Sequence, residues 1–322
     1  MLNLVPSLNP GSNYQKTMNK KFFFIPLITI LLFALWLLPD RHGDYPLPLE
    51  NLKAQVFRET VTPESLKKKL ANGVLKILIV PGHDPVARGA EFGDLVEEEL
   101  TRQFAGELAK QLKKQPNWRV MLARDVVTGQ YQPELARYFV REYEAISSFR
   151  AQLRDRLLAL ISSGDVQARV VVPHNFAAED VAFRLYGINK WANENDIDLI
   201  LHIHFNDYPR KKLSKPGAYT GFSVYIPERQ YPNARASRAI GSQVFAALKQ
   251  YFPVSNLPLE NVGLVEDQEL IALGANASLD KPSILIEYGY IYEPQFRSPG
   301  TRAAVFEALA FNTIRGLNSY LQ

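Results

Sequence analysis

The sequence predicts an α/β fold: a single, mostly parallel twisted sheet with helices on both faces, preceded by an N-terminal transmembrane anchor. Three observations carry this expectation. From about residue 74 onward, short apolar runs bounded by turn residues alternate with longer segments whose apolar residues recur every three or four positions. Strands that read as continuous apolar runs are buried on both faces, which is the habit of parallel sheets covered by crossover helices. Ahead of all this, Phe22 to Leu38 carries no charge and follows Lys16, Lys20 and Lys21.

The apolar N-terminal stretch is at the lower limit of length for a bilayer and has no polar face. "PDRHGDYPLP" follows it without the small-residue pattern of a cleavage site, so an uncleaved signal anchor is favoured over a removed signal peptide or a buried helix. Residues 1–21 then stay in the cytoplasm, 22–38 span the membrane, and everything after Asp40 lies outside. Residues 39–72 read as a proline-bearing stalk with a lead-in helix at "TPESLKKKLAN". The main domain is expected over 73–322.

Within it, Val74 to Val80 is a strand that breaks at Pro81-Gly82, and a helix follows from about Leu95 to Lys114. "WRVMLAR", "LILHIHFN", "GFSVYIP" and "SILIEYGYI" are further strands; "RASRAIGSQVFAALKQYF" and "TRAAVFEALAFNTIRGLNSYL" are helices. Pro133 to Ser163 exceeds a minimal alternation. It predicts a long amphipathic helix or helix pair within a helical insertion at about 130–183, either packed on the sheet or acting as a lid or partner-binding element.

Composition narrows the chemistry. At 322 residues and 47% hydrophobic content the chain supports a real core, and a net charge of +4 spread without aromatic-interleaved clusters leaves no footprint for nucleic acid. The absence of cysteine excludes disulfides, thiolate nucleophiles and cysteine-based metal sites. Any metal therefore rests on His, Asp and Glu. No G-x-S-x-G elbow and no phosphate-binding glycine loop is present.

Ligand sites in open parallel sheets form beyond the carboxyl ends of the strands, so polar groups stranded there are the ones to collect. Of five histidines, His83 follows the first strand, while His202 and His204, with Asn206, lie on "DLILHIHFND". Residues two apart on a strand face the same side, so His202 and His204 point together. Glu287, inside "PSILIEYGYI", is costly to bury without a partner. Two imidazoles and a carboxylate suit zinc, with one position left open for water. Glu91, Glu97, Glu98 and Glu99 offer further carboxylates. With Asp94 as N-cap, Glu97 stands at the third helical position, where it serves either as a ligand or as the partner in a D-x-x-E capping box. His83 likewise admits two readings, a turn residue or half of a metal site.

Together these segments resemble the zinc-dependent N-acetylmuramoyl-L-alanine amidases (amidase_3 type) that cut bacterial peptidoglycan. "VPGHDPVARGAEFGDLVEEEL" is similar to the family's D-P-G-H-G-G strand end, its G-A pair and its helix-initial glutamate. "ANENDIDLILHIHFND" matches A-N followed by A-D-L-F-I-S-I-H-A-N-A, "PSILIEYGY" matches P-x-x-L-V-E-x-G-F, and "MLARD", with Arg124 and Asp125, looks like L-T-R-x-x-D. The resemblance covers roughly residues 74–322 in the family's order. It implies zinc (Zn2+) held by His83, Glu97 and His204, with Glu287 as the catalytic carboxylate. It further implies hydrolysis of the amide between N-acetylmuramic acid and L-alanine, with peptidoglycan as partner and a protein regulator left unidentified. Combined with the anchor, it implies a single-pass protein of the bacterial cytoplasmic membrane whose catalytic domain lies outside. Three departures stand out: "GHDP" replaces the double glycine, Gly93 lies four residues before Glu97 where three is commoner, and His202 replaces a serine. His202 and Asn206 are therefore expected to support the ligands. Other readings are a zinc hydrolase of another peptide or amide, and a non-catalytic, membrane-anchored wall-binding protein.

Overall fold

The computed structural model describes residues 58–170, 172, 177–208, 210 and 212–321. The expected anchor, Phe22 to Leu38, and most of the stalk lie outside the described residues. Among those described, no helix is long and apolar enough to cross a membrane.

The elements in chain order are α1 (Pro63–Asn72), β1 (Leu75–Pro81), β2 (Glu91–Phe92), β3 (Leu95–Val96), α2 (Glu97–Leu112), β4 (Trp118–Leu122), α3 (Pro133–Arg141), α4 (Tyr143–Ser162) and α5 (Glu179–Glu194). Next come β5 (Leu199–Asn206), β6 (Ser223–Pro227), α6 (Ala234–Leu248), β7 (Leu264–Asp267), β8 (Ser283–Tyr290), α7 (Pro294–Arg297) and α8 (Pro299–Leu321). Six strands form one sheet in the order β4-β1-β5-β8-β6-β7. Every pairing is parallel except β6 with β8. The mostly parallel sheet expected from the sequence is present, with β6 and β7 at one edge running opposite to the other four strands.

Strand periodicity divides the core into two layers. Leu75, Ile77 and Ile79 of β1, Leu199, Leu201, Ile203 and Phe205 of β5, and Ile284 and Ile286 of β8 pack with α2, α6 and α8. Their neighbours Leu78, Val80 and Ile200 pack on the other face with Leu135, Phe139, Ile146, Tyr186 and Trp191 of α3, α4 and α5. Alternation along β5 and β8 therefore sends His202, His204 and Glu287 to this second face. In the β5–β8 register His204 lies directly beside Glu287.

Two local expectations are corrected. Asp94 is not the N-cap of α2, and the helix does not begin at Leu95. Gly93, at φ +58°, and Asp94 close a tight turn between β2 and β3, so Leu95 and Val96 pair with Phe92 and Glu91 and delay the helix to Glu97. The N-cap is Val96, which has no side-chain acceptor to offer. Glu97 is thus the first helical residue rather than the partner in a capping box. The expected helical segment at Pro133–Ser163 resolves into the pair α3 and α4, and the insertion boundary expected at 183 falls inside α5.

The end of β1 is fixed by a buried arginine. Arg124, 1% exposed just past β4, donates from Nη2 to the carbonyls of Pro81 (3.1 Å) and Gly82 (2.9 Å), and from Nη1 to Glu98 Oε1 (2.8 Å) and the Gly129 carbonyl (3.2 Å). It ties β1, β4 and the first turn of α2 together at one edge. Replacing it with methionine leaves Glu98 buried beside only Arg102 and removes a donor from each of the Pro81, Gly82 and Gly129 carbonyls. Arg124→Met should lower stability by about 3–5 kcal/mol, the cost of breaking a buried ion pair, and the thermal midpoint by roughly 10 °C. A melting curve within 2–3 °C of wild type would contradict this account.

Candidate metal centre

His83 follows Pro81-Gly82 at the carboxyl end of β1, with its own backbone at φ +63°. That left-handed conformation is costly for a side-chain-bearing residue, by roughly 1 kcal/mol or more, and it persists because its flanks are held. Behind it the Gly82 N–H donates to the Ile203 carbonyl (2.8 Å), while Thr101 Oγ1 and Arg124 donate to the Gly82 carbonyl. Ahead of it Asp84 Oδ1 accepts from the N–H groups of Val86 and Ala87, and Asp84 Oδ2 pairs with Arg184 on α5 (2.9 Å). The imidazole also makes a hydrogen bond to the backbone of Ala87.

Glu97, 5% exposed, reaches from the first turn of α2 over the sheet edge. Its Oε2 faces His83 Nε2 (2.9 Å) and accepts from the Ala90 N–H (3.0 Å); its Oε1 faces His204 Nδ1 (3.1 Å) and accepts from the Phe205 N–H (3.2 Å). The helix N-terminus favours a carboxylate at this position. The imidazoles of His83 and His204 meet edge to face, with ring centroids 5.2 Å apart. One ligand atom from each of His83, Glu97 and His204 falls within 4.8 Å of the others. A tetrahedral zinc site with bonds of about 2.0–2.1 Å sets its donors roughly 3.3 Å apart, so small side-chain movements bring these three into range. Donor chemistry fits too: two imidazoles and a carboxylate are preferred zinc ligands.

The glycines around the group are there for space. A Cβ on Gly82 would stand 2.4 Å from His204 Cε1, and one on Gly89, at φ +77°, would stand 2.6 Å from Glu97 Oε2 and 2.5 Å from His83 Cδ2. Both positions let backbone approach the cluster where any other residue would displace it.

Glu287 sits beside His204 on β8, half-buried. Its Oε2 is enclosed and, among the described residues, has no hydrogen-bond partner. Burial, reinforced by the carboxylates of Glu97 and Glu260, pushes its pKa far above the usual range. Glu97 shows the opposite balance: burial would raise it, but the imidazoles of His83 and His204 outweigh burial and hold it well below. The two histidines diverge although they share this carboxylate. For His204 burial dominates and lowers the pKa, whereas for the more exposed His83 the Glu97 charge overcomes burial and raises it.

The remaining expected residues are accounted for as follows. His202, one pleat earlier than His204, is buried outside the three-residue group; desolvation holds its pKa down to about 3, and it bonds to the backbone of Ala272. Its Nε2 has no partner among the described residues. Asn206 closes β5 and donates from Nδ2 to Glu260 Oε1 (2.8 Å). Glu91 is exposed and pairs with Arg88, and Glu98 is taken by Arg124 and Arg102. Sequence reasoning missed Glu260, which stands in the loop between α6 and β7 with no local pattern to mark it.

The amidase_3 profile of N-acetylmuramoyl-L-alanine amidases matches residues 77–318. The chain belongs to the N-acetylmuramoyl-L-alanine amidase family. Its match begins in β1, ends in α8 and so encloses every residue of the centre. No curated protein sequence matches the chain. Among solved structures, the CwlD amidase of Clostridioides difficile, in complex with the GerS lipoprotein, is 16% identical, with a TM-score of 0.50 over 77% of this chain and 98% of its own. The N-acetylmuramyl-L-alanine amidase Ami1 of Mycobacterium smegmatis is 16% identical, with a TM-score of 0.50 over 77% of this chain and 97% of its own. At that identity these likenesses speak for the shared fold.

Filling the space kept by Gly82 tests the geometry without touching a donor atom. Gly82→Ala should weaken divalent-cation binding by on the order of 10- to 100-fold, the range found when support of a ligand is lost. Far-UV circular dichroism should stay unchanged. A chelator-competition titration matching wild type would show that the His204 ring does not need this gap.

Proposed function

We propose that this family member is a zinc-dependent hydrolase of bacterial peptidoglycan, cleaving the amide between the lactyl group of N-acetylmuramic acid and L-alanine. The observation that carries the reading is the convergence of His83, Glu97 and His204 at one strand edge, with Glu287 beside His204 in the sheet register. Family membership supports the substrate class.

In this reading His83, Glu97 and His204 hold the ion, and their contacts outside the cluster fix their orientation. Zinc bound there supplies Lewis-acid polarisation of a carbonyl and acidification of water. The overall reaction adds water across the C–N bond: hydroxyl goes to the carbonyl carbon, the C–N bond breaks, and a proton goes to nitrogen. Glu287 is the proton carrier, taking the proton from water and delivering it to the departing amine. Its enclosed, unpartnered oxygen and its raised proton affinity suit a group that must hold a proton between the two transfers.

The anchor enters the same proposal. Residues 22–38 tether the domain of residues 73–322 to the outer face of the cytoplasmic membrane through the stalk, with residues 1–21 inside. Such a tether keeps the enzyme at the wall it cuts.

Glu287→Gln should reduce release of stem peptides from purified sacculi by at least about 100-fold, with zinc content equal to wild type by elemental analysis. Near-wild-type release by this variant would remove Glu287 from the mechanism. Dialysis against a chelator should likewise abolish release, and zinc should restore it; activity surviving verified metal removal would refute the zinc assignment.

A further inference from the structure

Glu260 is 1% exposed, yet among the described residues it has no cationic partner. Its carboxylate instead accepts four neutral hydrogen bonds: Asn206 Nδ2 (2.8 Å) and Tyr225 OH (2.6 Å) on Oε1, and Ser255 Oγ (2.6 Å) and Tyr290 OH (3.1 Å) on Oε2. These donors come from β5, β6, β8 and the loop before β7, all meeting at the sheet edge that carries the metal centre. A buried carboxylate so fully supplied is an arrangement of fixed polarity, because an ionised carboxylate only accepts.

That polarity decides the orientation of Asn206. Its amide must turn Nδ2 toward Glu260, since the reverse would set two acceptors against each other. Oδ1 is then forced to the opposite side. Asn206 is half-buried, and its Oδ1 has no protein partner among the described residues. Asn206 also stands one pleat beyond His204 on the same strand face, where β5 and β8 shift register between His204 and Asn206 and Asn206 comes to lie beside Tyr290. Its backbone is pinned there by the Ile291 N–H, which donates to the Asn206 carbonyl (2.9 Å).

We infer that Glu260 is a positioning residue that locks Asn206 so that Oδ1 accepts the N–H of the scissile amide. This rests on the proposed amidase reading and specifies how that site holds its substrate nitrogen. Oδ1 is an acceptor only and selects a donor; the scissile amide offers one N–H at the atom that must next be protonated. Directing that N–H toward Asn206 turns the developing nitrogen lone pair away from it, free to take the proton carried by Glu287. The contact strengthens as nitrogen gains positive character, so its loss falls on kcat more than on KM.

A soluble muramoyl peptide and its ester analogue, with oxygen in place of the scissile N–H, separate this from a structural role. On the amide, zinc-loaded Asn206→Ala and Glu260→Gln should each lower kcat about 10- to 100-fold, with KM within about threefold of wild type. The double variant should be no slower than Asn206→Ala alone, because Glu260 acts through Asn206. On the ester, wild type and Asn206→Ala should agree within about threefold. Equal penalties on amide and ester would overturn the inference, as would multiplicative losses in the double variant. Should Glu260→Gln fail to fold, the amide-to-ester comparison with Asn206→Ala still decides. Wild-type enzyme that leaves the amide intact would instead overturn the proposed function.

Discussion

Strands β5 and β8 are covered on both faces, so a polar side chain on them must either find a partner within the protein, as His202 does at the backbone of Ala272, or lie at the edge where the chain leaves the sheet. That constraint organises the site. His204 and Glu287 occupy the same register position on adjacent parallel strands, and neither could sit deeper without losing its partners or its access. The ends of β1 and α2 converge on the same edge because a parallel strand followed by a helix returns the helix N-terminus near the strand's carboxyl end. A carboxylate at the first position of α2 is then both favoured by the helix and within reach of two strand-end imidazoles.

The electrostatics follow from crowding acids in a space with little positive charge of its own. Arg124 is nearby, but it is committed to Glu98 and to the carbonyls that shape the end of β1. Glu97 finds compensation in two imidazoles and two backbone N–H groups, Glu260 in four neutral donors, and Glu287, among the described residues, in none for Oε2. The three carboxylates thus differ in who donates to each, and the proposed roles of Glu97 as ligand and Glu287 as proton carrier follow that difference. Residue type alone could not have separated them; their hydrogen-bond partners do.

Much of this was legible in the sequence, for physical reasons. "LILHIHFN" corresponds to β5 residue for residue because an apolar run bounded by turn signals has little alternative in an α/β chain, and the two-residue period placed His202 and His204 on one face. Helical spacing over Pro133–Ser163 predicts one long helix or a pair, and it is the break at Glu142 that the spacing does not mark. What escaped was either short or non-local. A two-residue hairpin carries almost no periodic signal, so β2–β3 hid the true start of α2 and made Asp94 look like a cap. The strand β7, "LVED", has only four residues, two of them acidic. Glu260 depends on Asn206, Tyr225 and Tyr290, which come together only once β5, β6 and β8 are side by side. The reversed direction of β6 and β7 likewise leaves no mark in composition.

Two departures from the family pattern prove to be one structural feature. Asp84 stands where that pattern has glycine, directly after His83, and the segment leading to Arg184 is longer than the usual connection. In the fold these residues meet: Asp84 Oδ2 pairs with Arg184, while Asp84 Oδ1 caps the N–H groups of Val86 and Ala87. The loop that holds His83 in its left-handed conformation is thereby braced from α5, an element packed against α3 and α4. Glycine can turn at this point without help, whereas aspartate fixes the turn through its side chain, and its second oxygen is met here by Arg184. The added helices, through Arg184 of α5, therefore brace the loop that carries His83 at the candidate metal centre.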